Sequence, residues 1–490
     1  MSLMRVGLQL LSNWMNFACF LLFMAVVCVA MKVCAQTLRV SPPVVLDETY
    51  QDWGVGPLFH LELGLRGAAS CAASSCHGGS RPSVSTPAAS RGAEYPLWFE
   101  SDPHAQSWKT LTSEASNKIL EKLGIIKQGS IANARAYENC LACHNTSRTL
   151  TKDGITPSIA EGIGCELCHG PAQPWYDRHY VSRPMPIVGM TDIKPLVQRA
   201  KLCVACHVGS IDRDMNHDII AAGHPALYFD MAVYHEQLPK HWREPAETNP
   251  DFRARLWLAG QIAMADAELQ LMESRALKSH SVSIWPELSM YRCTDCHVGL
   301  KAEPRLPRQP DKTPVVGNSV SVRGWNLNGI ESLSLYLGSE EGLALTNVFE
   351  ELKRLLQERP PNASKIILVV QSLRRQVASC FYPVGDHDLL SWTRQSLRNQ
   401  CKQQLTSQEV ANEWEAASRF YVATWASSAQ LDSDSLFEAM HTMRRALIFP
   451  NDAQSPSFPR KEGSLTPPNL HAWQAAMKQA AVGLIESDKP

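Results

Sequence analysis

The sequence predicts a mainly α protein in two parts: a domain of short helices and long loops built around repeated cysteine-histidine motifs, then a helical domain that lacks them. Three observations carry this prediction. Five cysteine pairs, each followed at once by histidine, fall between Cys71 and His297, and none follows. In that stretch glycine, proline and serine are common (78–87, 184–195, 239–250), and long periodic helices are few. Beyond residue 317 apolar residues recur at helical spacing.

At 490 residues, 44% of them hydrophobic, the chain can bury a real core in two or three domains, which argues against a mainly disordered protein. Its 47 basic and 48 acidic residues leave a net charge of -1, so the whole sequence carries no footprint for nucleic acid. A local patch for docking a redox partner is compatible with that balance.

The first element is residues 1–35. Arg5, an apolar run from Phe17 to Ala30 and Val33-Cys34-Ala35 before Gln36 read as a secretory signal, so the mature chain is expected to begin near Gln36. A retained N-terminal anchor is the alternative, since the run approaches the lower length for spanning a bilayer, although Lys32 interrupts its end. The expected location is therefore periplasmic or exported, with membrane association through the N-terminus as the variant reading.

Residues 36–300 form the second element. Cys140-Leu-Ala-Cys143-His144, Cys165-Glu-Leu-Cys168-His169, Cys203-Val-Ala-Cys206-His207 and Cys293-Thr-Asp-Cys296-His297 each have the c-type haem attachment pattern. Two thiols reach the vinyl groups on one porphyrin edge while the adjacent histidine turns its imidazole under the iron. Cys71-Ala-Ala-Ser-Ser-Cys76-His77 has a longer loop that can bulge and still present both sulfurs. Zinc held by paired thiols is the competing reading. Histidine directly after every second cysteine, on a chain that reads as exported, favours haem. Five covalent haems c are expected, with His77, His144, His169, His207 and His297 as proximal ligands.

A second axial ligand is required at each six-coordinate iron. His60, His104, His179, His217, His224, His235, His241 and His280 stand in this domain outside the motifs. His104 follows Asp102-Pro103 at what reads as a helix start. His217 and His224 flank a short apolar helix, 218–222, closed by Gly223 and Pro225. His179 and His241 are the next candidates, and the short interval from His144 to Cys165 favours close packing of the second and third haems.

Residues 301–316, rich in proline and charge, read as a linker, and 317–490 as a haem-free helical domain. Leu345, Val348, Phe349, Leu352, Leu355 and Leu356 share one helical stripe before Pro360-Pro361, and Ile366, Val369, Val370, Leu373 and Val377 share the next. Thr406 to Glu409 and Ser435 to Glu438 have capping-box spacing. Cys380 and Cys401, left over from the motifs, are either a disulfide or two buried free thiols.

Glu161-Gly-Ile-Gly-Cys165-Glu-Leu-Cys168-His169-Gly-Pro-Ala, Ser101-Asp-Pro-His104-Ala and Ala221-Ala-Gly-His224-Pro225 resemble the cytochrome c-552/c-554 type of multihaem protein, a family related to hydroxylamine oxidoreductase. The resemblance spans roughly Trp53 to Gly299. It implies bis-histidine ligation of most haems, with His104, His217 and His224 as the best-matched distal ligands. This chain departs from the familiar four-haem soluble member by having five motifs and a longer first loop.

Two functional classes follow. The first is an exported multihaem c-type cytochrome that transfers electrons between periplasmic redox partner proteins. The second is a haem oxidoreductase acting on a small nitrogen or oxygen compound at one haem without a distal histidine, with His235, His241, Tyr234 or Arg243 nearby to move protons. The surplus of histidines favours electron transfer. In a third reading the helical domain serves as a docking subunit, but apolar stripes more often form a bundle's own core.

Overall fold

The fold is mainly α, as the sequence predicts. The structure, a computed structural model, describes residues 64–80, 92–127, 138–146, 161–180, 189–242, 248–279, 285–292, 322–379, 391–428, 434–447 and 467–486. The leader 1–35, the linker 301–316, the fifth motif Cys293–His297, and His60, Arg243, His280 and Cys380 lie outside the described residues. Among the described residues there is no β-strand, only isolated bridges joining Ser210 to Arg213 and Tyr291 to Val322. No described helix is long and apolar enough to cross a membrane.

Up to residue 240 the helices are short: α1 (Glu94–Ser101), α2 (Glu114–Lys122), α3 (Glu138–His144), α4 (Cys165–His169), α5 (Leu196–His207), α6 (His217–Ala222) and α7 (Met231–Gln237). Local chemistry sets their ends. Ser113 caps α2 by accepting from the Ser116 amide, and Asp230 caps α7 by accepting from Ala232 and Val233. Asn216 caps α6, which stops at Gly223, whose φ of 124° a side chain would strain. The apolar clusters around α1–α4 are small: Leu111, Leu120 and Leu141 form one, Ala68, Trp98 and Ala105 another, Ala172 and Trp175 a third.

One long helix, α8 (Phe252–Lys278), stands inside the region expected to hold only short ones. Of its 27 residues 20 are buried, so it is covered on every side, as expected for a central helix. Burying a side chain such as Trp257, Leu258 or Met264 contributes on the order of 1.5–3 kcal/mol. Arg275 and Lys278 in its last turn complement the helix dipole. Arg275 also pairs with Asp214 at 2.6 Å, tying α8 to the loop after α5.

The remaining helices are α9 (Asn328–Leu337), α10 (Ser339–Leu356), α11 (Ala363–Ser379), α12 (Arg394–Gln404), α13 (Gln408–Asn412), α14 (Trp414–Ser427), α15 (Asp434–Leu447) and α16 (Pro467–Glu486). Both apolar stripes predicted from sequence face inward: Leu345, Phe349, Leu352, Leu355 and Leu356 on α10, and Ile366, Val370, Leu373 and Val377 on α11, are buried. Helices α9, α11, α12 and α14 pack on α8, as do α5 and α7 from the other side of the sequence, and one apolar core runs from Leu196 to Leu484. Gly329 allows α9 to cross closely, because a Cβ there would overlap the Gln261 carbonyl. Capping departs from the expected boxes by a residue. Ser407, not Thr406, caps α13, and α15 already includes Ser435, while a reciprocal box forms at Thr393 and Ser396. Cys401 is a free, fully buried thiol.

Candidate functional site

In an α-helix residues i, i+3 and i+4 share one face, so a Cys-x-x-Cys-His sequence in a helical turn presents both sulfurs and the imidazole on the same side. That is how the three described regular motifs are built. The second motif closes α3, the third is α4 itself, and the fourth closes α5. With two further residues between its cysteines, the first motif is a turn instead: Cys71 ends a short 3-10 segment, and the amides of Cys76 and Gly78 both donate to the Ala73 carbonyl.

Side chains of the four described motifs line a single cavity of about 2570 Å³. Pockets for one small ligand occupy roughly 300–1,000 Å³, so this space suits several large groups. Cys71, Cys76, Cys140, Cys143, Cys165, Cys168, Cys203 and Cys206 all border it.

Across this cavity each of the four described motif histidines faces a histidine from outside the motifs. Ring centroids lie 6.1 Å apart for His77 and His179, 6.1 Å for His104 and His207, 6.5 Å for His144 and His224, and 6.4 Å for His169 and His241. An imidazole nitrogen binds a first-row metal at about 2 Å and the ring centre lies about 1.1 Å behind it, so two rings on opposite faces of one ion have centroids about 6.3 Å apart. The four pairs match this spacing. They are two-ligand arrangements. Groups of three or more His, Cys, Asp or Glu that could hold a metal ion do not occur among the described residues.

Most of the Nδ1 atoms in these pairs are held by hydrogen bonds. Nδ1–H of His179 donates to the Tyr176 carbonyl at 2.8 Å, that of His224 to Pro225 at 2.9 Å, and that of His144 to Ser107 at 3.0 Å. A carbonyl can only accept, so Nδ1 carries the proton and Nε2 keeps its lone pair for a metal. Carboxylates do the same for His104, whose Nδ1 is 2.9 Å from Asp102 Oδ1, and for His77, 3.1 Å from Glu94 Oε2. His169 Nδ1 is buried with no acceptor among the described residues. Phe229 stacks on His207 at 5.0 Å and Trp242 meets His241 edge-on at 5.1 Å, which limits ring rotation.

Burial lowers the His207 pKa to about 3 and that of His169 to about 4, and it also lowers His144, His224 and His241. These imidazoles are neutral at physiological pH, the form that ligates metals. At His104 burial acts the same way, but the Asp102 hydrogen bond and charge outweigh it and raise the pKa.

The pairs follow one another in space in an order that differs from their order in the chain. Thiols of Cys71 and Cys165 are in hydrogen-bonding contact, and His169 lies within electrostatic reach of His77. Cys168 is likewise near Cys206 and Cys203, and His207 near His144. The order is His77/His179, His169/His241, His207/His104, His144/His224, so the fourth motif's pair stands between those of the second and third motifs, which the short interval from His144 to Cys165 predicts to be neighbours.

Two acidic residues without an assigned role in the sequence reading secure the first of these junctions. Glu166, buried inside the third motif, accepts from the amides of Arg66 (2.9 Å), Gly67 (2.7 Å) and Ala172 (2.7 Å), and Glu161 accepts from Ala68 at 2.8 Å. They clamp the segment before Cys71 against α4. Arg213, donating from Nε to the Ala142 carbonyl at 2.7 Å, ties the second motif to the loop after the fourth. Side chain to backbone bonds of this kind leave no periodic signal in a sequence.

His217 opens α6, and its amide donates to Glu287 Oε1 at 2.8 Å, on the segment 285–292 that leads to the fifth motif. His235 is buried, and its Nε2 accepts from Arg199 Nη1 at 3.0 Å, so its lone pair is already engaged.

Residues 70–170 match the family model described as cytochrome c554 and c-prime, a stretch that contains the first three motifs. No curated protein and no solved structure is significantly similar to the chain. The family match, on residues arranged in this way, supports a c-type cytochrome with covalently bound haem that works in electron transfer.

Proposed function

We propose that this chain is an exported cytochrome with five covalently attached haems c that passes electrons between periplasmic redox partner proteins. The observation that carries the reading is the set of four histidine pairs, 6.1–6.5 Å apart, around one cavity bordered by eight motif cysteines. Bound haem supplies reversible one-electron chemistry at iron. The chain's part is to attach, ligate and orient it: Cys71 and Cys76 with His77 and His179, Cys140 and Cys143 with His144 and His224, Cys165 and Cys168 with His169 and His241, Cys203 and Cys206 with His207 and His104. The fifth set comprises Cys293, Cys296 and His297, with His217 as the candidate on the opposite face.

At the four described pairs an imidazole on both faces leaves no coordination position for a substrate, which supports a relay over a catalytic site there. It also keeps ligation the same in both oxidation states, so little reorganises when an electron arrives. Contact between neighbouring pairs supports transfer along the row. The apolar leader and the attachment motifs support export.

The test is purification from a host that attaches haem c, with haem content measured against protein mass and an electron paramagnetic resonance spectrum of the oxidised form. Five haems and only low-spin ferric signals are expected. A stoichiometric high-spin signal that shifts with nitrite or hydroxylamine would replace the relay with a catalytic site, and absence of covalent haem would overturn the reading.

A further inference from the structure

The four histidine pairs have similar spacing but differ in what their outer nitrogens touch. Two meet a carboxylate: His77 at Glu94 and His104 at Asp102. The other two meet only neutral groups. His144 and His224 donate to backbone carbonyls, with the Thr110 hydroxyl also 3.0 Å from His144, and His241 bonds the Pro239 carbonyl while His169 Nδ1 has no acceptor among the described residues. In spatial order the row reads carboxylate, neutral, carboxylate, neutral.

We propose that Glu94 and Asp102 act as positioning residues that set their two haem irons below the other two in potential, so that potentials alternate along the row. The proposal rests on the haem-relay reading above.

Reduction removes one positive charge from an iron centre. A carboxylate at the imidazole Nδ1–H favours the oxidised state twice over, by its own charge and by making the imidazole a stronger donor. A carbonyl does the second weakly and the first not at all. Asp102 is 8% exposed, so solvent screens it little. Asp102 and Glu94 both also lie within electrostatic reach of His241, but their hydrogen bonds are to His104 and His77, and the irons of those two pairs take the larger effects. Alternation would place the first two electrons on the second and fourth positions, which are not neighbours, and so reduce the repulsion between them.

Ring orientation separates the signals. The planes of His77 and His179 are 18° apart, whereas the other three pairs are crossed at 69–78°. Near-parallel axial imidazoles give a rhombic low-spin ferric signal, and near-perpendicular ones a more anisotropic signal with a larger highest g value. A redox titration of the full haem-loaded protein followed by paramagnetic resonance therefore reads the Glu94 site apart from the Asp102 site.

Asp102→Asn keeps the single oxygen that accepts from both the His104 amide and its ring, whereas Glu94→Gln has one oxygen for two donors and, turned to His77 Nδ1, gives up the bond from the Gly92 amide. Removing the charge but not the acceptor should raise the reduced-to-oxidised ratio at fixed potential roughly tenfold, the difference between a charge-assisted and a neutral hydrogen bond. For one electron that ratio corresponds to about 59 mV. The expected result is that Glu94→Gln raises the midpoint of the rhombic signal most and Asp102→Asn that of one anisotropic signal most, with smaller shifts at the His169/His241 signal, while Thr110→Val moves none by more than about twofold. Shifts below about twofold in fully loaded Glu94→Gln and Asp102→Asn, or equal shifts of all signals, would overturn the proposal. Should Asp102→Asn fail to load, Glu94→Gln decides alone. Failure of the relay reading is separately visible, as missing haem or high-spin iron in the unmodified protein.

Discussion

His224→Ala tests the ligand pairing most directly. The His144 and His224 centroids are 6.5 Å apart, and truncating one ring to a methyl opens the face opposite His144 to a space about the size of the ring removed. The fold should survive, since the intrinsic cost is one neutral hydrogen bond, from Nδ1 to the Pro225 carbonyl, or about 1 kcal/mol, and α6 keeps its Asn216 cap and Gly223 stop. One haem per chain should turn high-spin, and added imidazole, which fits the vacated space, should restore the low-spin spectrum at one equivalent per chain. His235→Ala is the matched control. His235 is more deeply buried than the half-buried His224, but its Nε2 is held by Arg199, so its removal should leave every iron low-spin. Optical and paramagnetic resonance spectra of both variants provide the assay. A fully low-spin His224→Ala protein, or a high-spin signal in His235→Ala, would refute the pairing drawn from the ring geometry.

Three further outcomes are expected. Glu166→Gln puts an amide NH2 where two carboxylate oxygens receive three backbone donors, and should cost about 1–3 kcal/mol in urea unfolding followed at the haem absorption band. Gly329→Ala forces a methyl against the Gln261 carbonyl and should cost about 1–3 kcal/mol, read from helical circular dichroism against urea. Burial raises Asp230 to about 7, against the opposing bonds from Val233, Ala232 and Gln261. The folded protein then holds this proton more tightly than the unfolded chain, so its contribution is full below the unfolded value of 3.8 and is lost as pH rises through about 7. Asp230→Asn keeps the cap, and its stability relative to the unmodified chain should increase between acid and mildly alkaline pH; a parallel pair of pH profiles would count against a buried, titrating Asp230.

Features written into consecutive residues were legible in the sequence. The second, third and fourth attachment motifs sit where helical spacing brings two sulfurs and an imidazole to one face, and α6 runs between the residues expected to bound it because Asn216, Gly223 and Pro225 act on their own neighbours. The buried stripes of α10 and α11 were legible for the same reason, since each helix is wet on one side only. Helix α8 escaped notice because a helix covered on all sides carries no alternation between faces. At the cap of α13, Thr406 and Ser407 are adjacent hydroxyls, and backbone conformation alone selects the second. The histidine pairings were beyond reach on different grounds. His77 meets His179 and His104 meets His207 about a hundred positions away, through tertiary contacts that no local pattern encodes.

That division has a physical consequence for how the molecule is held together. The core from Leu196 to Leu484 is continuous and contains α8, so the helices around it can be stabilised by protein contacts alone. The segments that carry the first three motifs have only clusters of two or three buried apolar residues, too little to offset the entropy of ordering them. Order there has to come from backbone clamps such as Glu166 and from the apolar faces of the groups attached to the cysteines. Among the four described motifs the fourth, on α5 packed against α8, is the one anchored to the large core. Its histidine pair lies third in the row, so the attached groups on either side are positioned against a ligand set that the protein alone already fixes.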